Sequence, residues 1–175
     1  ADLYKPVAAD FKQVDKAIFQ HLDSNVPLVE KIGEYIIDSG GKRLRPLLAL
    51  LSARACGYQG DQHITLATVI EFIHTATLLH DDVVDTSDLR RGKPTANNKW
   101  GNSSSVLVGD FLYSRSFQLL VNIGNLPVMG TLSNATSIIA EGEVLQLLNA
   151  KNPDTSEADY LHVILGKTAM LFEAA

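Results

Sequence analysis

Apolar positions recur at helical spacing along nearly the whole chain. Residues 11–22 predict a first helix. Residues 26–37 predict a second, ended by Asp38-Ser39-Gly40-Gly41, a run of turn-forming residues. A third helix is expected over about residues 43–57. The fourth, residues 64–85, is apolar on most sides, the pattern of a buried helix. A polar loop, TSDLRRGKPTANNKWGN, follows it. Further helices are expected over residues 103–123, 128–149 and 156–175. Strand-like alternation between turn pairs is missing. The pattern therefore predicts an all-α fold in a single domain, residues 1–175. The last helical stretch, HVILGKTAMLFEAA, stops without a capping glycine, turn or polar tail, so a larger parent domain is expected.

Composition narrows the function classes. With 175 residues, 46% hydrophobic and 20% charged, the chain is globular rather than disordered. The formal net charge is -5, and no long basic face exists, so no nucleic acid is expected as partner. The basic clusters are short and local, which suits a small anionic ligand. The longest greasy run, residues 64–79, is interrupted by Glu71 and His74, so no integral membrane segment is expected. The first ten residues lack the apolar core of a signal peptide. The single cysteine, Cys56, cannot form an internal disulfide and suits a reducing, cytoplasmic location. It sits in an apolar helical run and is expected to be a small core residue.

The stretch LLHDDVVD, residues 78–85, gathers three aspartates at the end of the greasy run. At about 100° per residue, Asp81 and Asp85 share a helix face, with Asp82 beside them. His74, seven residues before Asp81, falls on almost the same stripe. Like charges four apart repel, carboxylates at a helix C-terminus oppose its dipole, and desolvation worsens both. A divalent cation removes the problem. Mg²⁺ is often held by one or two carboxylates together with substrate phosphates. Asp81 and Asp85 are therefore candidate metal ligands, half of a Mg²⁺–phosphate site. The plainer reading is a solvated acidic helix end.

Basic clusters complement the acids. In SGGKRLRP, residues 39–46, glycines open a helix whose first turn accommodates Pro46. Lys42 and Arg45, three apart, are expected to point the same way. With Arg43 and the helix N-terminus they form a candidate diphosphate cradle. Arg90 and Arg91 follow the aspartates closely enough to fold back over them; simple charge balance with Asp82, Asp85 and Asp88 is the alternative. Lys167-Thr168 offers a further cation and a hydroxyl. Glu141, Glu143 and Gln146 make a polar helix face. The pair His80-Asp81 admits a rival, a metal-dependent phosphohydrolase with His/Asp ligands and a softer ion. A non-catalytic helical binding or dimerisation module is the other.

Four segments, GGKRLRP, LLHDDVVD, LRRGKPTAN and GKTA, occur in an order and spacing that resembles the trans-prenyl diphosphate synthases. EFIHTATLLHDDVVD and IIAEGEVLQL extend the likeness over nearly the whole chain. The resemblance implies an all-α isoprenoid-synthase bundle around a deep central cavity, usually a homodimer. It implies that Lys42, Arg45, His74 and Arg91 hold the diphosphate of isopentenyl diphosphate. It implies that Asp81 and Asp85 bind Mg²⁺, with Asp82 beside them. Arg90, Lys167 and Thr168 match positions that grip an allylic prenyl diphosphate, and Gln146 matches a polar contact near the metals. The implied catalytic set is Asp81, Asp82, Asp85, Arg90 and Lys167. Ala76 and Thr77, with Ile73, Val69 and Ile70 deeper, match the positions that set chain length. Small residues there leave room for a long product, with Phe111 or Phe117 as candidates for its floor. The family's second aspartate-rich motif has no counterpart in this sequence.

Overall fold

The computed structural model describes residues 2–150 and 152–175. A 3₁₀ turn, Lys5–Val7, leads into α1 (Ala8–His21). Then come α2 (Pro27–Asp38), α3 (Leu44–Ala55) and α4 (Gln62–Val84). Two short strands, β1 (Leu89–Arg90) and β2 (Lys93–Pro94), pair antiparallel. They are followed by α5 (Ala96–Trp100), α6 (Asn102–Ile123) and α7 (Leu126–Asn149). The described residues end with α8 (Glu157–Ile164), a π-helical turn (Leu165–Ala169) and α9 (Met170–Glu173). The fold is mostly helical, as the periodicity predicts.

Contacts cluster into two units, one ending at Ile123 and one beginning at Gly124. In the first, α4 is the centre. It packs most extensively on α6, and then on α3 and α1. Its apolar sequence explains this: Val69, Ile70, Phe72, Ile73, Ala76 and Leu79 are all wholly buried. They share the core with Leu112 and Leu120 of α6, Leu50 of α3, and Val14 and Ile18 of α1. One polar clamp sits among these helices. Buried Asp10 on α1 accepts from Arg54 Nε at 2.8 Å and Arg54 Nη2 at 2.9 Å, and lies 3.2 Å from His63 Nε2 at the start of α4. Burial alone would raise the Asp10 pKa, but Arg54 and His63 outweigh it and lower the value.

In the second unit, α7 packs on the π-helical turn, α8 and α9. Asn125 caps α7 by accepting from Val128 N at 3.1 Å. Ser156 and Asp159 form a capping box for α8. A methyl at Gly142 on α7 would lie 2.9 Å from Lys167 N and 3.1 Å from Gly166 C. Glycine therefore lets two backbones cross there.

Three expectations need correction. The third helix is shorter than predicted, because Arg43 takes left-handed backbone (φ 44°) and α3 starts only after it. Cys56 is exposed rather than core, because α3 ends at Ala55 and Cys56 occupies its C-terminal cap over solvent. The loop after the aspartates is not irregular throughout, since it contains β1, β2 and α5. Among the described residues, no helix is long and apolar enough to cross a membrane.

Candidate functional site

The acidic motif forms the last turn of α4 and its cap. Asp85 N donates to Asp81 O at 2.7 Å, so the helical ladder carries through Asp85 and keeps it one turn beyond Asp81. Thr86 follows in left-handed backbone (φ 51°). Thr86 N donates to Val83 O at 3.2 Å and Ser87 N to Asp82 O at 2.9 Å, the bond pair of a Schellman motif. Asp82 is 1% exposed. Arg90 from β1 grips it with Nη2 at 2.9 Å and Nε at 3.0 Å. Asp81 is half-buried and Asp85 exposed. The three carboxylates thus differ in burial: Asp82 is enclosed and paired with Arg90, while Asp81 and Asp85 keep accessible surface.

Hard oxygen donors of this kind fit Mg²⁺. Among the described residues, no three His, Cys, Asp or Glu side chains gather closely enough to hold an ion by themselves. Two carboxylates suffice where phosphate oxygens and water complete the shell.

The loop after α4 is shaped by its own polar groups. Arg91 (φ 52°) and Gly92 (φ 77°) make the two-residue turn of a hairpin. Buried Thr95 donates its hydroxyl to Ser87 O at 2.7 Å, and its N–H bonds Asp88 O at 3.0 Å. Asn97 Nδ2 donates to Asp82 O at 3.3 Å. Thr95 and Asn97 therefore staple the hairpin to the end of α4. Sequence reasoning missed both; their place within LRRGKPTAN was the signal available.

A basic cluster lies one to two turns before the aspartates. Arg45 Nη1 is 3.3 Å from His74 Nε2. The guanidinium can only donate, so Nε2 accepts and the imidazole proton sits on Nδ1. Burial foremost, and then Arg45, Arg90 and Arg91, lower the His74 pKa to about 3. This histidine is neutral at physiological pH. Arg91 packs over Gly41, where a methyl would lie 2.9 Å from its Nη1. Arg43 pairs instead with Asp15 of α1. Lys42 is exposed on a groove of about 340 Å³, with Gly40, Gly41, Asp38 and Tyr4. The spacing rule that would align Lys42 with Arg45 does not apply, because the chain turns left-handed at Arg43 between them. Glu71, unassigned from sequence, is buried among these arginines.

In the second unit, Gln146, Lys167 and Thr168 line one groove of about 490 Å³, with Tyr160 and Asn149. Lys167 Nζ donates to Glu143 at 2.8 Å. Among the chain-length candidates, Ile73 and Ala76 are wholly buried. Thr77 keeps accessible surface, and its hydroxyl donates back to His74 O at 2.8 Å. Phe111 and Phe117 are half-buried on α6. His80 lies against Gly109 of α6, 3.1 Å from Val106 O and 3.2 Å from Asp110. These partners turn its ring toward α6, which gives the phosphohydrolase reading no support.

Comparison with known proteins gives one answer. A family model described as polyprenyl synthetase matches residues 26–175. Octaprenyl diphosphate synthase of Escherichia coli (strain K12) is 57% identical over 168 residues, 96% of this chain and 52% of that protein. The crystal structure of a decaprenyl diphosphate synthase from Rhodobacter capsulatus matches with a TM-score of 0.96 at 54% identity, over 98% of this chain and 53% of that one. A polyprenyl synthase from Caulobacter crescentus CB15, solved with calcium and isoprenyl diphosphate, matches with a TM-score of 0.96 at 47% identity, over 98% and 52%. The chain spans about half the length of the curated relatives it matches. Four ordered motifs, a shared fold and a family match over most of the sequence converge, and this chain belongs to the polyprenyl synthetase family.

Proposed function

We propose that this chain supplies the isopentenyl diphosphate pocket and the first aspartate motif of a trans-polyprenyl diphosphate synthase. It corresponds to the N-terminal part of that enzyme's domain. The reaction would elongate an allylic diphosphate, such as farnesyl diphosphate, by condensation with isopentenyl diphosphate. One observation carries the reading: a single buried helix, α4, bears a neutral histidine joined to an arginine, and bears the aspartate turn at its end.

The chain's own residues divide the work. Arg45 and Arg91, with Lys42, hold an isopentenyl diphosphate by charge, and His74 offers its Nδ1 proton to a phosphate oxygen. Asp82 fixes Arg90 beside the aspartate turn. Asp81 and Asp85 would hold Mg²⁺, which when bound supplies positive charge to a leaving diphosphate. The resemblance gives Arg90, Lys167 and Thr168 the role of holding an allylic diphosphate, and Gln146 that of a polar contact near the metals. Ionisation gives an allylic carbocation, the isopentenyl double bond attacks it, and a proton is lost. No protein nucleophile is required. Apolar walls of a deep cavity must keep water from quenching the cation.

A long all-trans product, octaprenyl, suits the Escherichia coli relative's name and the small residues Ala76 and Thr77. Ile73 belongs to the same chain-length set. The resemblance supports a homodimer and use of the product as a quinone side chain, and the single cysteine suits a cytoplasmic location. A second reading is a helical module that binds diphosphates without turnover; Mg²⁺-dependent binding of an allylic diphosphate with no product would favour it.

Calorimetric titration with isopentenyl diphosphate tests the pocket. Binding is expected, and Arg45→Ala should weaken it about tenfold to a hundredfold while circular dichroism stays unchanged. Binding indifferent to both Arg45→Ala and His74→Ala would refute the assignment.

A further inference from the structure

Glu71 lies one helical turn before His74 on α4 and is 9% exposed. Its Oε2 is buried without a hydrogen-bond partner among the described residues. Among the described residues, the charged groups that act on it come from three other segments. Arg43 and Arg45 stand at the start of α3, Arg91 in the hairpin, and Asp15 on α1; His74 on its own helix is neutral. Asp15 is occupied by Arg43. Burial raises the Glu71 pKa; the three arginines pull it back and Asp15 adds to the rise, leaving it above the usual value. A buried carboxyl with an unsatisfied oxygen is costly, and a purely structural site would do better with an apolar side chain.

A basic pocket waiting for an anion has a reason to keep such a group. Close guanidiniums repel one another while the pocket is empty, and an internal counter-ion holds them in place. An incoming diphosphate takes over the guanidiniums. The carboxylate then faces another anion in a low dielectric, and protonation from solvent relieves the repulsion. We propose that Glu71 is a positioning residue of this pocket: as a carboxylate it orders Arg45 and Arg91 in the empty state, and it takes up one proton when a diphosphate replaces it as their partner. The inference rests on the reading of the pocket as a diphosphate site.

The test is calorimetry with inorganic diphosphate in metal-free solution, which leaves the aspartate turn unengaged. Titrations in buffers of unlike ionisation enthalpy, from mildly acidic to mildly alkaline pH, count the protons taken up. The wild type is expected to take up protons, and Glu71→Gln to lose that component. Dividing by the variant's affinity cancels the ligand's own titration. The wild type's relative affinity should then fall by up to about tenfold for each pH unit. His74→Asn should keep the uptake. Asp15→Asn, which removes the charge that raises Glu71, should move its onset to lower pH; this variant tests the idea even if Glu71→Gln folds poorly. Uptake that persists in Glu71→Gln, or vanishes in His74→Asn, overturns the proposal. A wild type that binds no diphosphate overturns the pocket reading and this inference with it.

Discussion

Gly41 shows how much one missing methyl can decide. Arg91 lies across it, and a Cβ there would come within 3.2 Å of two guanidinium nitrogens. The clash is with the far end of a flexible side chain, so Gly41→Ala should fold with little loss of stability. It should nevertheless push Arg91 out of the pocket and weaken isopentenyl diphosphate binding by about tenfold. Calorimetry checks this, and an unchanged affinity would show that Arg91 takes no part. The glycines of SGGKRLRP were legible as a turn, but the sequence does not show that the space at Gly41 is filled by Arg91. His74 was legible because it shares a helical stripe with Asp81. Glu71 was not, since a lone acid in a greasy run reads only as an interruption. Its meaning depends on arginines from α3 and the hairpin, which no local pattern reveals. Cys56 misled for a related reason: an apolar run does not say which of its residues lies past the helix end.

Among the elements, helices were legible from their periodicity, and their ends were less so. The turn after the aspartates is a Schellman motif with Thr86 where glycine is usual, so the customary signal was absent. The hairpin was missed because Arg91, not Asn or Asp, precedes Gly92 in the turn. The single helix expected at residues 156–175 is interrupted by a π-helical turn, a feature that simple spacing cannot register. That turn carries Lys167 and crosses α7 at Gly142. Here a methyl would strike backbone, which cannot swing aside as Arg91 can. Gly142→Ala should therefore destabilise the second unit by ~1–3 kcal/mol. Hydrogen exchange should accelerate in α8 and the π-helical turn and stay unchanged in α4. Undiminished protection around Lys167 would mean that the crossing has slack.

For the molecule as a whole, fold class and family were readable because four motifs occur in a fixed order, and chance reproduces such an order far less readily than any one motif. The all-α bundle and the family follow directly. In the proposed site Asp81 and Asp85 would hold the metal, Asp82 is held by Arg90, and the chain spans about half the length of the curated relatives it matches. The most direct measurement joins this chain to the C-terminal half of the Escherichia coli octaprenyl diphosphate synthase. The chimera is then supplied with farnesyl diphosphate, labelled isopentenyl diphosphate and Mg²⁺, and its prenyl products are sized. Long all-trans products are expected, and Asp81→Ala should lower the rate by about a hundredfold or more, the scale of a lost charge-stabilising group. A folded chimera that consumes no isopentenyl diphosphate, or one whose rate is indifferent to loss of both Asp81 and Asp85, would contradict the assignment.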